Sequence, residues 1–430
     1  MGRRYFGIDF GTTNSAIAVA DEQGQSRIVP IDWKGAALEV FRSVLFYDLE
    51  EVGSIRRLLH FAGPAAIEGY LQTGGVGGRF IQSIKSYLAD PNFTQTSVFG
   101  TSRSIEDLIA DILLVLKRTV EAQIGPVDGP VTVGRPARFV GDRAREQLAL
   151  DRLTRAYRQA GFDEISFEFE PVAAAFHVEA GLDRDELVLI GDFGGGTSDF
   201  CILRIGPGAH RRGDRAGDIL AVSGIGIAGD AFDARIIDHA ISPGLGRDAQ
   251  FRGVTGDFLP MPKWLYSEVA HWHRLAFLDR PQTRTLFREI MPTVTEPEAV
   301  QGLQALIEDR QGFRLSRAVE AVKVALSSAD ETVLTFDIGP ARIRRPVSRK
   351  MFETWIEPDL ARTDEAVAAT LSQAGLQASA IDRVYLTGGS SRIAAVRRRF
   401  ADRFGADRIA DTDALAAVAG GLALSAWTRG

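Results

Sequence analysis

The stretch Leu187-Val188-Leu189-Ile190-Gly191-Asp192-Phe193-Gly194-Gly195-Gly196-Thr197-Ser198-Asp199-Phe200 decides the fold. Its apolar opening, 187–190, reads as a buried strand. Asp192 stands where that strand ends, three glycines reverse the chain, and 197–203 runs out as a second strand. Consecutive glycines reach backbone conformations closed to other residues and let N–H groups approach a ligand. A concave row of such groups favours an anion. A strand-end carboxylate beside it suits Mg2+, which takes a few oxygen ligands and water. Taken alone, the stretch reads either as a magnesium-phosphate cradle or as a plain hairpin with a glycine turn, because a lone Gly-rich loop is a weak signal.

The N-terminus repeats the pattern. Residues 5–19 read YFGIDFGTTNSAIAV: an apolar strand ending in Asp9, a Gly-Thr-Thr turn, and a second apolar run. Asp9-Phe10-Gly11 and Asp192-Phe193-Gly194 lie 183 positions apart. That spacing is a duplication of one unit, not a solenoid period. Two such hairpins facing each other would clamp a phosphate chain from both sides.

At 430 residues the chain exceeds a single core, and two lobes are expected. A net charge of −6 gives no bulk attraction to nucleic acid or anionic lipid. The one cysteine, Cys201, falls in a predicted buried strand, which excludes an internal disulfide and suits a reducing compartment. No apolar run reaches the ~20 residues of a membrane span, and the first strand begins too early for a signal peptide. The expectation is a cytoplasmic monomer with neither a membrane nor a nucleic-acid partner.

Along the chain, 104–123 reads as a helix capped by Ser104, and 141–160 as a charged amphipathic helix. Pro171 starts a helix over 172–180. The segment 206–218 reads as an exposed turn with Arg211, Arg212 and Arg215 at a solvated tip. Residues 243–312, rich in Pro and aromatics without a clear period, read as a mainly helical subdomain. Then come a helix over 314–328, strands within 332–345, a helix over 349–375, a strand over 381–386, and a small-residue helix over 412–427. Strands alternating with helices imply an α/β protein. His271-Trp272-His273 reads as no metal site, because positions i and i+2 of a helix do not face one side.

Five segments together resemble one family, the heat shock protein 70 chaperones. They are 7–15 (GIDFGTTNS), 170–175 (EPVAAA), 192–199 (DFGGGTSD), 386–393 (LTGGSSRI) and 320–328 (EAVKVALSS), in the family's order and spacing. The resemblance covers nearly the whole chain; 27–80 and 243–312 diverge. It implies the actin-like ATPase fold: two lobes with ribonuclease-H-like sheets and ATP in the cleft between them. Lobe I would be 1–186, with a C-terminal helix, 406–428, packing back on it, and lobe II 187–405.

The resemblance also implies roles. Asp9 and Asp192 hold Mg2+, largely through water. Gly11, Thr12, Thr13, Asn14 and Thr197 border the phosphates of ATP or ADP, with the backbone of Gly194, Gly195 and Gly196. Gly388, Gly389, Ser390 and Arg392 border the adenosine, with Glu320, Lys323 and Ser327 opposite, and Asp413 matches a further nucleotide-site aspartate. Lys85 stands where the family's catalytic lysine is expected. Glu170 is a candidate to polarise the attacking water, and Asp199 a second. The implied activity is slow ATP hydrolysis in a chaperone that meets a protein client or co-chaperone. Val324 replaces the arginine that usually stacks on adenine, and Gly134-Arg135-Pro136 carries an inserted arginine at the family's switch proline. With the chain ending at Gly430, the expectation is the short bacterial type without the peptide-binding domain. A small-molecule kinase and a filament-forming protein on the same fold are the alternatives. Lys85 with Glu170 favours the chaperone type over both.

Overall fold

Both aspartate hairpins form as expected. In the computed structural model Tyr5–Phe10 pairs antiparallel with Asn14–Ala20, and Glu186–Phe193 with Ser198–Ile205. The structure describes residues 2–430 apart from 53, 54, 74–76, 141–144, 212–214, 254, 272, 273, 276, 277, 412 and 413.

Each hairpin lies in a sheet of the same topology. In the first, Ser26–Ile28, Asn14–Ala20 and Tyr5–Phe10 form an antiparallel meander, and Val131–Arg135 and Ile165–Phe169 then add in parallel. In the second, Ile219–Ile225, Ser198–Ile205 and Glu186–Phe193 form the meander, and Arg383–Thr387 and Ile409–Asp411 add in parallel. The duplication read from the two motifs therefore extends over two whole sheets. Parallel strands buried on both faces need near-continuous apolar runs. Val131, Val133, Val188, Leu189 and Ile190 supply them, each at most 1% exposed. Cys201 is buried and unpaired.

The chain divides into two compact units, Met1–Gly229 with Arg362–Gly430, and Asp230–Ala361. Both sheets belong to the first. There the helix Ala414–Arg429 packs on the helix Glu170–Glu179 and on the strands Tyr5–Phe10 and Asn14–Ala20. Glycine makes this approach possible. A Cβ on Gly421 would lie 1.7 Å from the Ala173 carbonyl oxygen, and one on Gly7 2.2 Å from the Ala423 nitrogen. The small residues of the last helix, Ala417, Ala419 and Ala423, are fully buried at this seam.

The helix Ile105–Ile124 carries the expected N-cap. Ser104 Oγ accepts from the Asp107 N–H, and Asp107 returns the bond to the Ser104 N–H, a reciprocal capping box. Ser104→Ala should therefore lower the unfolding free energy by about 1 kcal/mol, read as a lower urea midpoint at unchanged slope.

The second unit holds the helices Lys263–Ala270, Pro281–Ile290, Pro297–Glu308 and Gly312–Ser328, and the hairpin Glu331–Ile338 with Ala341–Ser348. It also holds a short hairpin, Gln250–Arg252 with Phe258–Pro260, inside the segment expected to be mainly helical. Its strands are three residues long, too short to show a period of two. No helix among the described residues is long and apolar enough to cross a membrane.

The segment 206–218 differs from its sequence reading. Pro207–Arg211 is a short helix, and Arg215 is no solvated tip. Its guanidinium grips Glu179 in two bonds of 2.7 and 2.9 Å, reaches Asp218 at 3.0 Å, and is only 17% exposed. The partner acid comes from a helix 36 residues upstream, so local sequence could not reveal it. Arg212 lies outside the described residues.

Candidate functional site

The two hairpin turns meet within the first unit. A Cβ on Gly196 would lie 3.4 Å from Thr12 Oγ1 and 3.6 Å from Ser86 Oγ. Thus the glycine turn of one hairpin faces both the Gly-Thr-Thr turn of the other and the segment carrying Lys85. Gly194 closes its turn by donating to the Thr197 carbonyl at 3.0 Å. Among the described residues, the N–H groups of Gly195 and Gly196 make no hydrogen bond.

Lys85 sits in the 3-10 turn Ile84–Tyr87, entered through Ser83 in the left-handed conformation with φ 54°. Its ammonium donates to Glu170 Oε1 at 2.7 Å, and both side chains are 9% exposed. Glu170 opens the helix Glu170–Glu179, with Pro171 in the first turn. A Cβ on Gly134 would approach Glu170 Cγ to 3.0 Å, so Gly134 leaves that side chain its room.

Around this pair stand three more carboxyl groups. Burial, then the Glu170 charge, push Asp9 up to about 7 against the pull of Lys85. Burial and Glu170 likewise push Asp199 up to about 7, although the Thr197 hydroxyl, the Ala137 N–H and Lys85 draw it down. Asp192 is raised by burial and by Glu170, Asp199 and Asp9. Burial alone would lower Lys85, yet Glu170, Asp9 and Asp199 overcome it and raise it. Among the described residues, four acids around one ammonium leave the site short of positive charge.

A divalent cation fits that shortage. Among the described residues no three acidic, His or Cys side chains converge tightly enough to ligate a metal directly. Mg2+ does not need them, since it keeps its waters and takes one or two carboxylates plus substrate phosphates. Asn14 Oδ1 is buried without a hydrogen-bond partner, an acceptor left over beside the first turn.

Gly388 adjoins this set. At φ 81° its Cβ position would lie 2.2 Å from the Phe193 carbonyl oxygen and 2.9 Å from Asp192 Oδ1. Ser390 Oγ donates to the Gly194 carbonyl at 3.4 Å, while Gly389 and Arg392 are exposed. Asp9, Gly11, Thr12, Thr13, Asn14, Lys85, Glu170, Asp192, Gly194, Gly195, Gly196, Thr197, Asp199, Gly388, Gly389, Ser390 and Arg392 all lie in the first unit.

Glu320, Lys323 and Ser327 lie in the other unit, on the helix Gly312–Ser328. Lys323 pairs with Asp233 at 2.8 Å, Glu320 accepts from Arg317 at 3.2 Å, and Ser327 donates back to the Lys323 carbonyl at 3.2 Å. Asp413 lies outside the described residues. So do Trp272 and His273, while His271 Nδ1 lies 2.9 Å from the Ser267 carbonyl.

One element had no sequence signal. Asp199 Oδ1 accepts the backbone N–H of Ala137 at 2.8 Å and of Arg138 at 3.4 Å. Backbone donors carry no residue identity, so only the fold shows this anchor. Glu146 holds the neighbouring part of that loop through the Phe139 N–H at 2.9 Å and the Arg135 guanidinium at 2.8 Å.

Comparison with known proteins shows the family. Residues 82–244 and 293–428 match the family model described as Hsp70 protein. The chain is 30% identical over 422 residues to the chaperone protein DnaK of Deinococcus radiodurans, across 93% of this chain and 55% of that one. It is 29% identical over 443 residues to DnaK of Deinococcus proteolyticus, across 98% and 58%. It is 28% identical over 431 residues to DnaK of Halobacterium salinarum, across 98% and 55%. The chain spans about half the length of the curated relatives it matches. With two duplicated sheets, paired aspartate hairpins and a family match over most of its length, this chain belongs to the heat shock protein 70 family and has its actin-like ATPase fold.

Proposed function

We propose that the chain binds ATP with Mg2+ and hydrolyses it slowly to ADP and phosphate, in the service of a protein client or co-chaperone. The observation that carries this reading is the meeting of the two hairpin turns around the buried Lys85–Glu170 pair. Asp9 and Asp192 hold the hydrated cation. When bound, Mg2+ neutralises charge on the phosphate oxygens. The free N–H groups of Gly195 and Gly196 receive phosphate oxygens, with the hydroxyls of Thr12, Thr13 and Thr197. Lys85 presents positive charge to the γ-phosphate, held in place by Glu170.

Asp199, raised to about 7 and fixed by the Ala137 and Arg138 N–H groups, is suited to orient the attacking water and take up its proton. Glu170 is occupied by Lys85, which makes it the better anchor and Asp199 the better base. Gly388, Gly389, Ser390 and Arg392 take the adenosine side. Val324 is 63% exposed. With no arginine there to stack, base selectivity is expected to be loose.

Calorimetric titration with ATP, with and without Mg2+, tests the site. The unmodified protein should bind ATP more tightly with Mg2+, and Asp9→Asn and Asp192→Asn should each erase most of that gain. Equal binding with and without Mg2+ in all three proteins contradicts the assignment.

A further inference from the structure

Arg152 is 4% exposed, on the helix Glu146–Gln159, and among the described residues it meets no carboxylate. A buried guanidinium is costly unless its donors are satisfied. Here four backbone carbonyls satisfy it: Nη1 donates to Leu88 and Asp90 at 2.9 Å and to Tyr87 at 3.3 Å, and Nη2 donates to Phe93 at 3.0 Å. All four carbonyls belong to residues 87–93, which run from the last residue of the turn bearing Lys85.

The link to Lys85 is two bonds long. The Leu88 N–H donates to the Lys85 carbonyl at 3.2 Å, and the Leu88 carbonyl receives Arg152. The same segment folds on itself, Asp90 N–H to Tyr87 and Phe93 N–H to Asp90, so that its carbonyls converge on one point. Upstream the turn is entered through Ser83, a non-glycine residue at φ 54°. That conformation is unfavourable and persists only where surrounding structure imposes it. The planar fork of arginine reaches several acceptors at fixed angles, which a lysine cannot do.

We propose that Arg152 is a positioning residue for Lys85: its guanidinium clamps the 87–93 carbonyls and so fixes the turn that aims the ammonium at Glu170 and the phosphate turns. The inference rests on the catalytic reading of Lys85 for its effect on turnover, but not for its effect on where Lys85 sits.

The test labels lysine amines in the full chain and reads each site by mass spectrometry. The six lysines, at 34, 85, 117, 263, 323 and 350, serve as internal references. In the unmodified protein Lys85 should react more slowly than exposed Lys350. In Arg152→Met its rate should rise by about fivefold or more, with Lys117 and Lys323 unchanged. Arg152→Lys should fall between. Phosphate release should drop about 10- to 100-fold, the loss expected from a misplacement of about 1 Å, at little change in KM. In a Lys85→Ala background Arg152→Met should cost nothing further.

An unchanged Lys85 labelling rate overturns the clamp, whatever the turnover. A faster rate in a protein that never hydrolysed ATP upholds the clamp and overturns the catalytic reading instead. If Arg152→Met loses its cooperative unfolding transition, Arg152→Lys decides by the same two readings.

Discussion

Replacing Lys85 with alanine is expected to reduce ATP hydrolysis by about 10²- to 10³-fold while Mg-ATP still binds. The scale is that of losing one preorganised electrostatic donor in a water-poor site. Among the described residues Lys85 is the cation that lowers Asp9, Asp192 and Asp199 together, so its removal does more than delete one contact. Glu170 would be left buried and unpaired beside three other acids. Breaking a buried pair by removing one partner typically costs about 3–5 kcal/mol. The variant should therefore also melt earlier, and Mg-ATP should restore more stability to it than to the parent. The two effects separate cleanly. If Lys85 serves stability alone, the hydrolysis rate per folded molecule, measured well below the melting temperature, will match the parent.

The second large effect lies far from any titratable group. Gly421→Ala places a methyl 1.7 Å from the Ala173 carbonyl oxygen, backbone against backbone. No side chain can swing away, so the helices Ala414–Arg429 and Glu170–Glu179 must separate. Overpacking of this kind costs about 3 kcal/mol, or more where the backbone itself must move. We expect a fall in melting temperature on the order of 10 °C. Glu170 begins the displaced helix, so hydrolysis should fall along with stability. Thermal unfolding by circular dichroism checks this. A melting temperature within a degree or two of the parent would show that the seam is looser than the distances indicate.

The sequence made one half of this molecule easy to read. Asp9 and Asp192 each close an apolar strand, and the glycine and threonine turns behind them have no common role except a sharp reversal or a ligand. Their 183-residue offset pointed to a duplication, and the two sheets share one five-strand order, the first adding the short strand Phe41–Arg42. Ser104 was legible because a capping box is local, its two partners three residues apart. What escaped was long-range. Arg215 meets Glu179 across 36 residues, and Arg152 meets Leu88 across 64. In a chain rich in arginine, neither stands out from its surface neighbours. The hairpin at 250–260 escaped for another reason: two three-residue strands, one containing Pro260, show no alternation. Asp199 was named as a candidate, but its fixing by two backbone N–H groups has no residue code.

The seam of glycine and alanine bears on the site in the same way. Gly7 lies two residues before Asp9 and touches the last helix, which also carries Gly421 against the helix of Glu170. One packing interface thus sets the positions of Asp9 and of the acid that pairs with Lys85. Bulk at either glycine should register at both.

The central claim is that the 7–15 and 187–200 hairpins together form a magnesium-nucleotide site that hydrolyses ATP. Single-turnover release of phosphate from γ-labelled ATP, with protein in excess, addresses it most directly. The account predicts slow release above the no-protein background, abolished by removing Mg2+ and by Asp192→Asn. Release at background level from the unmodified protein, with Mg2+ present and ATP demonstrably bound, would contradict it.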